Sequence, residues 1–298
     1  MEIKKMFVAG AGLMGSGIAQ VCAGAGLNVI LCDVDSDALE RAIKNIAWSA
    51  GKLVEKGRLQ GPVEIITGRI SPTSDFSLAA GADLCIEAVF EKLDLKLEIF
   101  KKLDAVAPPK AMLASNTSAI SISTLAASTQ RPDRVLGIHF FSPVPMMEAV
   151  EVVRGQFTSD EVFADGKAFV QAIGKEPILV HKDVPGFLIN RINFPATIEA
   201  MRLVEMGVGT VEDIDKGLRL ASGRRMGIFE TGDMVGLDVT CGALSAIYEE
   251  TKDPRWYPPA ILRRKVLAGQ LGRKTGKGWY EYNPDGTRKG PVKQSEPK

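Results

Sequence analysis

Short β-forming apolar runs alternate with longer amphipathic stretches along the first part of the chain. The runs are Lys5–Ala9, Asn28–Cys32, Leu84–Val89, Met112–Ser115, Arg134–Phe141, Val150–Val153 and Pro177–Val180. They have the length of buried strands, and the stretches between them have the length and spacing of helices. This rhythm predicts an α/β fold with a doubly wound sheet. It stops at Pro185-Gly186. From Phe187 to Met206 apolar residues recur at helical spacing, and the next stretch that reads as a strand is Gly278–Tyr282. An all-helical C-terminal domain follows, with the expected division at 1–184 and 185–298. Pro195 lies inside the first long helix of that domain, where a missing N–H is expected to kink the axis. Beyond Tyr282, Pro284, Gly286, Gly290, Pro291 and Pro297 stand among charged residues, so the tail is expected to be poorly ordered.

The first run leads directly into Gly10-Ala11-Gly12-Leu13-Met14-Gly15, and Ile18, Val21, Cys22 and Ala25 then mark a helix face. A bare Gly-x-Gly-x-x-Gly says little, but at a strand-to-helix turn each glycine has a task. Gly10 permits the tight turn, Gly12 lets the backbone approach a pyrophosphate, and Gly15 allows close helix–sheet packing. The helix N-terminus, opening at Leu13 and Met14, offers free N–H groups and a partial positive charge. The domain is therefore expected to be of the Rossmann type, with Gly10, Gly12, Leu13, Met14 and Gly15 binding a dinucleotide. Asp33 ends the second run, where a carboxylate accepts hydrogen bonds from the adenosine ribose. Val34, Asp35 and Ser36 follow, with no arginine to neutralise a 2′-phosphate and a second carboxylate to repel one. The expected cofactor is NAD and not NADP.

Composition narrows the alternatives. At 298 residues the chain is longer than one ordinary core, which suits two domains. Its net charge of +1 is spread evenly, so neither nucleic acid nor an anionic membrane finds a basic stripe. No apolar stretch is long enough to cross a bilayer, and Met1–Val8 is not followed by the apolar core of a leader, so a cytoplasmic protein is expected. Four cysteines, Cys22, Cys32, Cys85 and Cys241, are far apart and read as reduced thiols, the first three within apolar segments. With two histidines and no Cys/His cluster, no metal site is expected.

Oxidation of an alcohol by hydride transfer needs a group that takes the hydroxyl proton, and histidine suits that task. His181, in Ile178-Leu179-Val180-His181, reads as structural or solvent-facing. His139 ends the run Val135–Phe141, just before Ser142-Pro143-Val144-Pro145, which cannot readily continue a central strand. Ligands of open α/β sheets bind at that edge. Glu151 lies in the next run, and a carboxylate on a neighbouring strand can orient an imidazole and stabilise its protonated form. Spacing alone leaves two readings open, a catalytic His139–Glu151 pair or a core histidine with an unrelated surface glutamate.

Beyond these features, the chain resembles the 3-hydroxyacyl-CoA dehydrogenase family. The resemblance is carried by Gly10–Gly15, Ser115-Asn116-Thr117-Ser118, His139-Phe140-Phe141-Ser142-Pro143-Val144-Pro145 with Glu151, and Pro185-Gly186-Phe187-Leu188-Ile189-Asn190-Arg191. Val235-Gly236-Leu237-Asp238 and the run from Leu271 to Tyr280 extend it, in the family's order. It implies that His139 is the general base, that Glu151 orients it, and that Ser118 and Asn190 hydrogen-bond the reacting oxygen. It implies cofactor contacts at Glu91, Lys96, Asn116 and Ser118, and an acyl-CoA substrate held in part by Ser49 and Lys56. It also implies a homodimer formed through the helical domain, and its stand-alone length suggests a short acyl group such as 3-hydroxybutyryl.

Two departures stand out. Ser142 replaces a frequent asparagine, which touches substrate geometry because serine keeps only one donor and its acceptor. Arg224 and Arg225 replace apolar residues, and Ile228 stands where a proline is common, which loosens a loop without touching the chemistry. Two rival functions are a β-hydroxyacid dehydrogenase acting on a free acid and a non-catalytic NADH-binding relative. The first would be expected to carry a lysine on the interdomain helix, and Phe187–Met206 contains none.

Overall fold

The computed structural model describes residues 1–59 and 61–292. The chain divides into two compact units, Met1–Phe187 and Leu188–Lys298.

In the first unit, β1 (Lys5–Ala9), α1 (Leu13–Gly24), β2 (Asn28–Cys32), α2 (Ser36–Glu55), α3 (Val63–Thr67) and β3 (Ile70–Thr73) follow one another. Then come β4 (Leu84–Glu87), α4 (Leu93–Val106), β5 (Met112–Ser115), α5 (Ile122–Ala126), β6 (Val135–Phe140), β7 (Ala149–Val153), α6 (Asp160–Ala172) and β8 (Glu176–Val180). The strands form one eight-stranded sheet in the order β3-β2-β1-β4-β5-β6-β7-β8. Pairing is parallel except between β6 and β7. The chain builds outward from β1 through β2 to β3 and then returns to β4 on the other side of β1. That reversal leaves a crevice beyond the carboxyl ends of β1 and β4.

Strand alternation sends Met6 and Val8 to one apolar layer and Phe7 and Ala9 to the other. All of β4, β5 and β6 is buried, as expected of strands covered on both faces. The thiols of Cys22, Cys32 and Cys85 lie inside these layers, and burial pushes that of Cys32 up to about 11. The seven strands read from the sequence are all present. β3 has no counterpart among them, because Ile70-Ser71-Pro72-Thr73 buries only Ile70 and carries a proline that just an edge strand tolerates.

The second unit contains α7 (Ile189–Glu205), α8 (Val211–Ser222), α9 (Ile228–Val235), α10 (Leu237–Thr251) and α11 (Ala260–Leu267), then the hairpin strands β9 (Tyr280–Tyr282) and β10 (Arg288–Pro291). α7 runs through Pro195 as a single helix. Two buried carboxylates knit the unit together. Asp215 accepts from the N–H groups of Phe229 (2.9 Å) and Glu230 (3.0 Å), completing the start of α9 where Gly227 has no side chain to do so, and from the Tyr280 hydroxyl (2.9 Å). Asp233 accepts from the N–H groups of Trp279 (2.8 Å) and Tyr280 (2.9 Å) and from the Tyr282 hydroxyl (3.0 Å).

The expected poorly ordered tail needs correction up to Val292. Arg288–Pro291 pairs antiparallel with β9, and Arg288 lies 4.6 Å over the Tyr280 ring and bonds Glu230. A charged, glycine- and proline-containing segment is ordered here by cross-strand and ion-pair partners that its own composition does not reveal. Pro297 lies outside the described residues. Among the described residues no helix is long and apolar enough to cross a membrane.

Candidate active site

The turn after β1 is shaped by what its glycines allow. Gly10 has φ +108°, and a Cβ there would lie 2.6 Å from the Ala88 carbonyl oxygen at the end of β4. A Cβ on Gly15 would lie 1.8 Å from the Gly10 oxygen, so α1 packs against the turn with no room for a side chain. Gly12 differs from both: nothing of the protein lies within 4 Å of its missing Cβ. It is the N-cap of α1 and supplies no side-chain acceptor, so the first N–H groups of the helix, at Leu13 and Met14, open outward uncapped. Asp33 follows β2, where its Oδ2 accepts from the Ala11 N–H at 2.7 Å and its Oδ1 from the Asp35 N–H at 3.1 Å. These bonds fix the carboxylate beside the turn while leaving further lone pairs for ribose hydroxyls. Open space at Gly12, an uncapped positive helix end and a fixed acceptor together fit an NAD pyrophosphate and ribose.

Three strands beyond β1 along the sheet edge, register brings the second cluster together. His139 on β6 stands directly opposite Glu151 on β7, and His139 Nδ1 lies 2.7 Å from Glu151 Oε2. Glu151 is fully buried and His139 is 5% exposed. The imidazole is wedged edge-on against Phe141 (4.7 Å) and Phe187 (5.6 Å). The contact engages Nδ1 of the ring, and Nε2 is the nitrogen on its other side. His181, one residue past β8, is exposed and lies tilted against the Phe163 ring at 5.7 Å.

The loop after β5 carries Asn116 and Ser118, both half-buried between the buried Ser115, Thr117 and Ala119. Asn116 Oδ1 accepts from the Phe140 N–H at 2.9 Å, which ties this loop to the residue after His139. The Ser118 carbonyl accepts from the Gly186 N–H at 3.1 Å. Glu91 Oε1 accepts from the N–H groups of Ser118 and Ala119, each at 3.1 Å, and from the Thr117 hydroxyl. Lys96 is 1% exposed, and its ammonium lies 2.6 Å from Glu87 and 3.1 Å from Glu91. Burial opposes charge on Lys96 and Glu91, yet the Glu87 and Glu91 carboxylates hold the Lys96 ammonium above its ordinary range, and Lys96 holds the Glu91 carboxyl below its own.

The structure thus gathers Gly10, Gly12, Gly15, Asp33, Glu91, Lys96, Asn116, Ser118, His139 and Glu151 in one unit, along the carboxyl edge of one sheet. Ser49 is half-buried on α2 and Lys56 is the exposed residue at its end. Asn190 lies in the first turn of α7, in the second unit. The sequence reading missed Glu87, which is fully buried at the end of β4 and accepts from Lys96 and from the Ser115 hydroxyl (2.7 Å).

A dinucleotide cradle beside a buried His–Glu pair defines an oxidoreductase of the nicotinamide-dependent class. The 3-hydroxyacyl-CoA dehydrogenase NAD binding domain matches residues 5–184, and the 3-hydroxyacyl-CoA dehydrogenase C-terminal domain matches residues 186–282. The probable 3-hydroxybutyryl-CoA dehydrogenase of Bacillus subtilis is 42% identical over 95% of this chain and 98% of its own. The mitochondrial hydroxyacyl-coenzyme A dehydrogenase of Sus scrofa is 40% identical over 94% of this chain and 91% of its own. Among solved structures, the (S)-3-hydroxybutyryl-CoA dehydrogenase PaaH1 of Ralstonia eutropha superposes with a TM-score of 0.85 at 40% identity, covering 95% of this chain and all of its own. The chain belongs to the 3-hydroxyacyl-CoA dehydrogenase family and is an NAD-dependent oxidoreductase.

Proposed function

We propose that the protein interconverts (3S)-3-hydroxyacyl-CoA and 3-ketoacyl-CoA, with a short acyl group such as 3-hydroxybutyryl as its substrate and His139 as the general base. The 2.7 Å contact between His139 Nδ1 and the buried Glu151 carries this reading. Glu151 holds the imidazole with Nε2 as its basic nitrogen and stabilises the imidazolium formed when that nitrogen takes the hydroxyl proton. Bound NAD would supply the acceptor for the hydride that leaves C3 of the hydroxyacyl group. In the reverse direction His139 returns the proton to the developing alkoxide. The Ser118 hydroxyl hydrogen-bonds the same oxygen, its loop held in place by Glu91 and by the Asn116–Phe140 bond. Asn190 adds a second hydrogen bond to that oxygen, and Ser49 and Lys56 hold part of the CoA moiety. The family membership and the names of the Bacillus and Ralstonia proteins support a four-carbon acyl group.

The test is NADH oxidation by the purified protein with acetoacetyl-CoA, run beside free acetoacetate and beside NADPH as donor. Turnover with the thioester and NADH is expected, and turnover with free acetoacetate in its place would overturn the substrate class. Replacing acetoacetyl-CoA by longer 3-ketoacyl-CoA esters is expected to lower kcat/KM, and a rise would overturn the short-chain assignment.

We further propose a homodimer formed through the helical unit. An apolar groove lined by Ala196, Ala200, Leu203, Ile214, Leu218 and Ile228 supports it, together with the exposed Met206 and Leu220.

A further inference from the structure

A fully buried glutamate on a strand is costly unless every oxygen is used. Glu87 ends β4 in register with Ala9 of β1 and Ser115 of β5, the strands that lead into the glycine turn and into the Ser118 loop. Its Oε1 accepts from the Val89 N–H at 2.7 Å and from the Lys96 ammonium at 2.6 Å. Its Oε2 accepts from the Ser115 hydroxyl at 2.7 Å, and the Ser115 oxygen in turn accepts from the Thr117 N–H at 3.1 Å. Lys96 continues to Glu91, which holds the Ser118 and Ala119 N–H groups. The contacts close a ring: Glu87, Lys96, Glu91, the 117–119 turn, Ser115 and back to Glu87. One side of the ring sets Val89, whose N–H lies 3.2 Å from where a Cβ on Gly10 would stand, and so sets the wall of the dinucleotide turn. The other side sets the loop that presents Ser118.

We propose that Glu87 is a positioning residue that aligns both loops of the site at once, through Val89 and Lys96 on the cofactor side and through Ser115 on the substrate side; the substrate half rests on the reaction proposed above. Glu87 touches neither partner of the reaction in this role. Its carboxylate has four lone-pair sites and meets three donors, which an amide of the same shape cannot match: the amide has one accepting oxygen, and its NH2 would face Ser115 and leave the serine proton unplaced. It would also leave Lys96 with a single carboxylate.

The experiment compares Glu87→Gln and Ser115→Ala with the wild type, reading NADH affinity by fluorescence titration, kcat and KM with acetoacetyl-CoA, and folding by circular dichroism and thermal melting. Ser115→Ala cuts the link to the 115–119 loop alone, so kcat is expected to fall by about tenfold while NADH affinity weakens by less than in Glu87→Gln, the scale of a lost hydrogen bond or a loop displaced by a fraction of an ångström. Glu87→Gln cuts both sides, so NADH affinity is expected to weaken by about tenfold and kcat to fall by at least as much. A purely structural Glu87 would lower the melting temperature and leave both constants of the folded protein unchanged, and that result would overturn the proposal. Should Glu87→Gln fail to fold, an unchanged kcat in Ser115→Ala would overturn the link to Ser118. If the wild type does not turn over acetoacetyl-CoA, the reaction proposed above fails, while the NADH titration of Glu87→Gln still decides the cofactor half.

Discussion

His139 and Glu151 illustrate how a side chain gains its partner from what stands across from it. Their antiparallel register places them face to face, and burial of Glu151 makes the contact strong because water does not compete for the carboxylate. If His139 is the base, His139→Gln keeps a hydrogen-bonding side chain but cannot take the proton. The expected loss in kcat is about 10²–10⁴-fold with NADH affinity nearly unchanged. Steady-state kinetics beside an NADH titration measure this, and a variant with near-normal kcat would remove His139 from the mechanism. Lys96 invites a different test. Glu91 titrates below the 4.5 of a free glutamate, so its share of stability is intact above that value and fades as pH falls through the folded one. Lys96 titrates above 10.5, so its share is intact below that value and fades as pH rises through the folded one. Lys96→Met leaves two carboxylates without their buried partner and is expected to cost about 3–5 kcal/mol. That difference from wild type, measured by urea unfolding, is expected to be greatest from neutral pH up to the alkaline limit set by Lys96 and to shrink as pH falls, because without Lys96 burial favours the protonated Glu91 carboxyl. At this scale the sequence made Gly10, Asp33 and His139 stand out as candidates, because few residue types suit the work proposed for them. Glu87 was invisible, since a glutamate closing an apolar run looks like any strand end meeting solvent. Its partners stand nine and twenty-eight residues further along, and only the fold brings them to it.

The glycine turn separates packing from binding at the level of an element. Gly15→Ala sets a Cβ against the Gly10 carbonyl, so α1 must move off the turn, and a stability loss of about 1–3 kcal/mol is expected together with weaker NADH binding. Gly12→Ala meets no protein atom within 4 Å. Its expected cost in stability is at most about 1 kcal/mol, the difference between the two residues at an N-cap. NADH affinity is nevertheless expected to drop, because the added methyl occupies the space that the pyrophosphate would use. Thermal melting and an NADH titration on both variants check this, and a Gly12→Ala protein that binds NADH normally would remove the cofactor from this turn. The elements absent from the sequence reading, β3 and β10, have a common cause. Each is short, carries a proline, and takes its stability from a neighbouring strand and not from its own apolar pattern.

For the whole molecule, the open question of assembly has a direct measurement. Sedimentation or light scattering is expected to give the mass of two 32.0 kDa chains, and Leu218→Lys, placed in the apolar groove of the helical unit, is expected to shift it toward one. A wild type with the mass of a single chain at micromolar concentration would overturn the dimer. The change at Pro185-Gly186 from alternating runs to helical periodicity was legible because apolar spacing reports local geometry directly. So were the dinucleotide turn and its preference for NAD, since these depend on residue type and on position within one strand-helix unit. Tertiary structure alone decided which carboxylate the histidine meets, where Lys96 spends its charge, and that Glu87 lies beneath both loops of the site. Those outcomes depend on register between strands distant in sequence and on burial, and a buried charge reveals its purpose only through the partners that satisfy it.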